Sequence, residues 1–107
     1  MITTTYPPIP ADVGTFLVQM GAVSVVDQYR AETLPPTLRR FVDMTIRQCE
    51  QQGDDAQRWV DGVVDLSVRD WAKAQLVDDA VEEARSMTIA SCTLAAFMVW
   101  SEEPVRA

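Results

Sequence analysis

Carboxylates are the side chains of this chain whose type and spacing could support chemistry. They include Asp61 with Asp65 and, later in the chain, Asp78, Asp79, Glu82 and Glu83. In a helix, side chains four residues apart lie on the same side, so each group brings pairs of carboxylates together. Hard cations such as Mg²⁺ take oxygen ligands of this kind. One hypothesis is therefore a carboxylate metal site that serves hydrolysis.

The alternative is a solvated acidic helix face, in which basic side chains partly balance the carboxylates. The basic side chains of the same region are Arg58, Arg69, Lys73 and Arg85. All-α nucleotide pyrophosphatases carry paired ExxE and ExxD motifs on facing helices, and the spacing of Asp79 and Glu82 alone does not meet that signature. We therefore predict the solvated face and assign no metal ligand, while such a hydrolase stays the enzymatic alternative.

Histidine is absent from all 107 residues, and this absence excludes several kinds of catalytic centre. Ser-His-Asp and Cys-His catalysis, the facial-triad iron site and the Glu-x-x-His di-iron bundle each need an imidazole. The four glycines form neither a GxGxxG motif nor a Walker loop, so the sequence offers no glycine-rich loop to hold phosphate. We predict a non-enzymatic chain with no catalytic residue and no cofactor.

The two cysteines, Cys49 and Cys92, belong to different helical segments, and each lies among apolar residues. Neither is part of a CxxC pair, and there is no histidine to complete a zinc site. We predict that both are reduced and buried, while a disulfide or redox role is the alternative. Because no charged and apolar leader with a cleavage site opens the chain, we expect a cytoplasmic location.

The net charge of −7 is carried mainly by the second half of the chain. Residues 1–53 hold five acids and four arginines, whereas residues 54–107 hold eleven acids and five bases. A negative surface repels phosphate backbones, so we expect no direct binding to nucleic acid. We predict instead that the six carboxylates named above bind a protein with a basic surface. Imitation of nucleic-acid charge by an inhibitor is a further alternative.

Apolar residues at steps of three and four predict a first helix that begins near Asp12. They are Val13, Phe16, Leu17, Met20, Val23 and Val26, which we expect on its inner side. Glycine lowers helix propensity, so a break near Gly21 is one expectation. Because Gly14 and Gly21 fall on nearly one face, close approach of another helix is the other explanation.

Pro35-Pro36 predicts the start of a second helix, and Gly53 predicts its end. The predicted inner face of this helix consists of Leu38, Phe41, Val42, Thr45, Ile46 and Cys49.

The apolar pattern that follows Gly53 continues to Trp100, which is too long for one typical helix. The phase of this pattern shifts near Leu66-Ser67 and again near Arg85-Ser86-Met87. We therefore divide it into three helices.

The last predicted helix, residues 87–100, is apolar on almost every side. A helix without a polar face is buried in protein or in lipid. A bilayer span needs about 20 apolar residues, and this run is shorter and contains Ser91 and Thr93. We therefore expect no contact with a membrane and predict the central helix of a bundle or of an oligomer, with a homodimer formed through this helix.

These patterns together predict an all-α fold, a compact bundle of four or five helices with a short extended proline-rich arm. We expect the arm at residues 1–11, a single helical domain at residues 12–103 and a flexible tail at residues 104–107. The predicted function is that of a non-enzymatic protein–protein interaction domain. It would act as an adaptor, accessory subunit or inhibitor through its acidic helical surface.

Overall fold

The computed structural model describes residues 11–102. Its elements in chain order are α1 (Ala11–Arg30), α2 (Pro36–Gln52), a 3₁₀ turn (Gly53–Asp55), α3 (Ala56–Leu76) and α4 (Ala80–Glu102). These described residues contain no β-strand, so the predicted all-α class is confirmed. The predicted arm and tail lie outside the described residues, except that Ala11 is the first residue of α1.

The last helix, α4, is central, because α1, α2 and α3 all pack against it. Between residues 86 and 100, every side chain except that of Thr88 is buried or half-buried. Many of these side chains are small, and Ala90, Cys92, Ala95 and Ala96 are almost completely inaccessible to solvent. Small side chains allow backbones to approach closely on several sides. The predicted central helix is therefore confirmed, and its own chain covers it.

Helix α1 runs parallel to α4. Val18 packs in a cluster with Ala90, and Val26 packs in a cluster with Val99. Both helices therefore advance in the same direction. An ion pair at their common end, Arg30 Nη2 to Glu102 Oε1 at 3.5 Å, agrees with this arrangement.

Helices α3 and α4 form an antiparallel hairpin. Val60, near the start of α3, shares a cluster with Trp100, and Val68, further along α3, shares a cluster with Ala90. The short turn at residues 77–79 joins the two helices. A connection of this length makes sequential helices antiparallel neighbours.

The predicted division of residues 54–103 into three helices is wrong. Helix α3 continues without interruption through Leu66-Ser67, and α4 continues through Arg85-Ser86-Met87. The phase of the apolar pattern shifts within α3 because the neighbouring helix changes along its length. Ala56 near its start packs with α2, whereas Val68 packs with α1, so the buried face rotates while the helix stays intact.

Two glycines allow α1 to lie close to its neighbours. A Cβ atom built on Gly21 would lie 2.5 Å from Ser91 Oγ of α4, and one on Gly14 would lie 2.8 Å from Val68 Cγ1 of α3. Such distances are shorter than any ordinary van der Waals contact. The prediction of close helix approach is confirmed, and the expected break near Gly21 does not occur, since α1 is continuous.

Helix α2 follows its prediction closely. It begins at Pro36 and ends at Gln52, where Gly53 adopts a positive φ of 58°. The predicted inner face is correct, because its side chains are buried or half-buried: Leu38, Phe41, Val42, Thr45, Ile46 and Cys49. The Tyr29 hydroxyl of α1 donates a hydrogen bond to Asp43 Oδ1 and thereby ties α2 to α1.

Candidate functional site

The six carboxylates predicted to bind a partner lie in two separate places. Asp61 and Asp65 are exposed on the first half of α3, whereas the other four lie at the turn after α3 and in the first turn of α4. At a rise of about 1.5 Å per residue, Asp78 lies roughly 20 Å along the α3 direction from Asp65. The structure therefore does not bring the six carboxylates together into one group.

Asp78 and Asp79 belong to the turn that ends α3 and starts α4. Asp78 adopts a positive φ of 55°, and its N–H donates to the Gln75 carbonyl at 3.2 Å. The N–H of Asp79 donates to the Ala74 carbonyl at 2.8 Å, which completes a Schellman motif. The Asp79 carboxylate then accepts a hydrogen bond from the N–H of Glu82 at 3.1 Å, so it caps α4.

Glu82 is held by basic and hydroxyl groups of its own helix. Arg85 donates two hydrogen bonds to its carboxylate, each 3.1 Å long, and Ser86 Oγ donates a third at 3.1 Å. The hydrogen bonds from Arg85 and then Ser86 lower the pKa of the Glu82 carboxyl. The adjacent Glu83 is half-buried, and its N–H donates to the Asp79 carbonyl. The carboxylates of Asp79 and Glu82 therefore have structural roles, while Asp78 and Glu83 contribute backbone hydrogen bonds to the turn.

The carboxylates of α3 are more open to solvent. Asp65 pairs with Arg69 at 3.1 Å, and Asp61 accepts a long hydrogen bond of 3.4 Å from Gln57 Nε2. Asp54 and Asp55, which belong to the acidic face predicted over residues 54–83, are also exposed. Within the part of the chain described, neither of them forms an ion pair. Asp54, Asp55 and Asp61 at the start of α3 are therefore exposed acids without an ion pair among the described residues.

No three carboxylate or cysteine side chains among residues 11–102 come close enough together to hold a metal ion. Two of the carboxylates singled out in the sequence are instead bound to arginines, since Asp65 pairs with Arg69 and Glu82 pairs with Arg85. The hydrolase alternative therefore has no ligand set within the described residues.

Both cysteines are free and buried, which confirms that prediction. Cys49 lies in a cluster with Val60, and Cys92 lies in a different cluster with Ala96. Burial raises the pKa of both thiols by removing the solvent that stabilises a thiolate. A protonated thiol is a poor nucleophile, so these side chains serve as small apolar packing groups.

The largest unexpected feature is a stripe of exposed apolar side chains on α1, here called the outer face of α1. It consists of Val13 (39% exposed), Phe16 (58%), Leu17 (40%), Met20 (58%) and Val23 (51%). The prediction that these residues lie on the inner side is wrong. Of the apolar series proposed for this helix, only Val26 is buried.

The inner side of α1 is a second periodic series that consists mostly of small residues. It contains Gly14, Val18, Gly21, Ala22 and Val26. Small residues permit the close approach to Ser91 and Val68 described above, and close approach excludes solvent from that face. The available sequence signal was the three- and four-residue spacing of the glycines with Val18 and Ala22, which marks the face that packs.

The outer face of α1 carries no charge. Between Val13 and Val26 the sequence contains no Asp, Glu, Lys or Arg. The acids that flank this stretch, Asp12 and Asp27, lie beyond its two ends. The surface is therefore both apolar and electrostatically neutral, in a chain whose net charge is −7.

The apolar surface predicted to form a homodimer is not available on α4. Its apolar second half is covered by α1, α2 and α3 of the same chain. The exposed large apolar side chains of α4 are limited to Val81 in its first turn. Among the described helices, α1 and not α4 carries a run of exposed large apolar side chains.

An open groove lies between α1 and α2, above α4. Its volume is about 210 Å³, and it is lined by Ser24 of α1, Leu38 of α2 and Ser91 of α4, among others. Pockets for small ligands usually measure about 300–1,000 Å³. The groove is smaller, and its one titratable side chain is the buried Cys92. It does not provide a catalytic constellation.

Helices long and apolar enough to cross a lipid bilayer are absent from residues 11–102.

Comparison with known proteins adds no functional information. No protein-family model matches the chain, and neither a curated protein nor a solved structure is significantly similar to it.

Proposed function

We propose that this chain is a non-enzymatic protein-interaction domain that acts as an adaptor, accessory subunit or inhibitor, with the outer face of α1 as its contact surface. The observation that supports this proposal is the stripe of five large apolar side chains, each between 39% and 58% exposed. Their spacing over three turns of one helix is the spacing that helices use to dock against another protein.

A continuous stripe differs from a single exposed apolar residue. Met44 of α2 and Leu66 of α3 are exposed to a similar degree, but each is the one large exposed apolar residue in the middle of its helix. Isolated apolar side chains are normal on protein surfaces, whereas contiguous apolar patches mark interaction sites. The outer face of α1 is such a patch.

The acidic residues contribute to partner choice in this proposal. Asp61 and Asp65 are exposed, so they are available to a basic partner surface. Exposed charges of this kind mainly accelerate encounter and exclude partners of like charge. The four carboxylates at the α3–α4 turn add to the negative field, although those of Asp79 and Glu82 also hold the turn and the start of α4.

The proposal is tested by affinity capture from the native host with three forms of the full chain. These are the natural sequence, Met20→Lys and the matched control Met44→Lys, because Met20 and Met44 are 58% and 59% exposed. We expect Met20→Lys to lose the captured proteins and Met44→Lys to retain them. Equal capture by all three forms would show that the outer face of α1 is not the contact surface.

The contribution of charge is tested separately with Asp61→Asn combined with Asp65→Asn. These changes avoid Asp78 and Asp79, whose replacement would alter the turn. We expect slower association with the captured partner at low salt, with little change in the dissociation rate. If association rates do not change at any salt concentration, Asp61 and Asp65 do not contribute to binding of the partner.

A further inference from the structure

We propose that the protein seated on the outer face of α1 is a second copy of this chain, with the two α1 helices packed antiparallel. This inference rests on the proposed function, because it names the partner of the outer face of α1. Asp61 and Asp65 belong to α3 and stay available to a further, basic partner. Three observations support it, namely the neutrality of the stripe, its arrangement along the helix and its area.

The neutrality of the stripe favours self-association. Two copies of an acidic chain repel each other wherever their charged faces meet, and the exposed Asp61 and Asp65 would place like charges opposite each other. No charged residue occurs between Val13 and Val26, so two copies can meet there without this cost. The stripe itself offers no charge to a basic partner, because Asp61 and Asp65, which would attract one, belong to α3.

The arrangement of the stripe is self-complementary. A two-fold axis level with Val18 places Phe16 of one copy opposite Met20 of the other, and Val13 opposite Val23. A methionine sulfur beside an aromatic ring is a favourable contact. The antiparallel orientation sets the helix dipoles in opposite directions and keeps the two Asp27 side chains at opposite ends of the pair. Such an isologous contact closes on itself and stops at a dimer.

The exposed area is sufficient for the apolar part of an interface. Five half-exposed large side chains offer on the order of 400 Å² per copy, given that one whole aromatic side chain covers about 150–250 Å². A standard interface buries about 800 Å² per partner, of which roughly 60% is apolar. The stripe therefore supplies most of the apolar area that a dimer of ordinary size requires.

Sedimentation equilibrium of the full chain, across micromolar concentrations, tests the proposal. The natural sequence should show a mass about twice the 11.9 kDa of one chain. Met20→Lys places a charge opposite Phe16 twice in each dimer, and we expect its dissociation constant to rise about tenfold or more. Met44→Lys, at matched exposure on α2, should sediment like the natural sequence.

Disulfide trapping tests the antiparallel arrangement. Phe16→Cys and Met20→Cys chains, mixed under oxidising conditions, should form a disulfide between the two different chains faster than either forms one with itself. Cys49 and Cys92 are buried, so they contribute little background. Preferential linking of Phe16→Cys chains to one another would overturn the antiparallel arrangement.

The outcomes separate this inference from the proposed function. A chain that sediments as a monomer at every concentration overturns the second copy as the partner. If that monomer nevertheless loses captured host proteins through Met20→Lys but not through Met44→Lys, the proposed function stands with a different partner. If the chain is a monomer and neither variant changes the captured proteins, both proposals are wrong. Circular dichroism of each variant confirms that it is folded.

Discussion

Helices α1 and α4 are alike in sequence but differ in how the fold treats them. Each has a long central stretch without charge, residues 13–26 in α1 and residues 86–101 in α4. In α4 that stretch is covered by three neighbouring helices, whereas in α1 only one side is covered. An apolar helix is therefore buried to the extent that neighbours surround it, and a side that no neighbour reaches stays exposed for another molecule.

The comparison also shows how to find the packed side of an apolar helix. In both helices the packed residues are small, as in Ala95 and Ala96 of α4 and Gly21 and Ala22 of α1. The large side chains of α1 lie on the other side. Size, in addition to hydrophobicity, separates the inner face from the outer face, since only small residues allow helix axes to approach closely.

The largest expected difference in unfolding free energy is between two variants that each introduce one charge, one in α4 and one in α1. Ala95→Asp in α4 buries a carboxylate without a partner and should cost at least about 3 kcal/mol of unfolding free energy. Val23→Asp on the outer face of α1 should change it by less than about 0.5 kcal/mol. Urea denaturation of both, in the Met20→Lys background to suppress association, measures the difference. Similar costs for the two would mean that the outer face is buried.

A second prediction concerns the close approach of α1 to α3. Gly14→Ala places a Cβ 2.8 Å from Val68 Cγ1 and 3.0 Å from Trp71 Cζ3. We expect a loss of about 1–2 kcal/mol, because the packing strain outweighs the gain in helix propensity. Gly62→Ala, which has no heavy atom within 4 Å, should instead stabilise by about 0.5–1 kcal/mol. The melting temperatures of Gly14→Ala and Gly62→Ala should therefore shift in opposite directions. Equal shifts would contradict the packing described.

A smaller effect is expected where α1 and α3 end. Glu32 and Asp78 have φ values of 60° and 55°, a conformation that is strained for residues with a side chain. Glu32→Gly should stabilise the fold by about 0.5–1 kcal/mol. Asp78→Gly should gain less, since aspartate tolerates this conformation better than glutamate does. Denaturant midpoints rank the two variants, and a loss of stability in Glu32→Gly would argue against the left-handed conformation at Glu32.

The smallest effect concerns pH and the first turn of α4. The pKa of Glu82 is lowered in the folded chain, so its carboxylate stabilises the fold above the ordinary value of 4.5. That stabilisation is lost as the pH falls below 4.5, through the lower folded pKa. Glu82→Gln should therefore weaken the fall in melting temperature on acidification, while Glu83→Gln serves as the control. An equal effect of the two variants would assign the pH dependence elsewhere.

The local elements were predictable where backbone chemistry acts within a few residues. Proline suits a first helical turn and glycine adopts a positive φ, so α2 has its expected start at Pro36 and its expected end before Gly53. The buried face of α2 was also correct, because the helix is amphipathic and its charged side has no alternative to solvent. Neither condition depends on distant parts of the chain.

The turn between α3 and α4 was not predictable in the same way. Val77, Asp78 and Asp79 include neither proline nor glycine, the usual signs of a helix end. The left-handed conformation at Asp78 and the cap from Asp79 replace those signs. The carboxylates that suggested a partner surface were therefore, in part, the residues that formed the turn.

By itself, the sequence determined that the chain is helical, where α2 begins and ends, and that α4 is too apolar to lie on the surface. These properties depend on interactions between residues three or four positions apart. Only the tertiary structure decided which side of α1 is covered and which carboxylates are engaged by their own chain. Burial depends on neighbours brought from distant positions, and hydrophobicity alone does not distinguish the two sides of an apolar helix before one of them is packed.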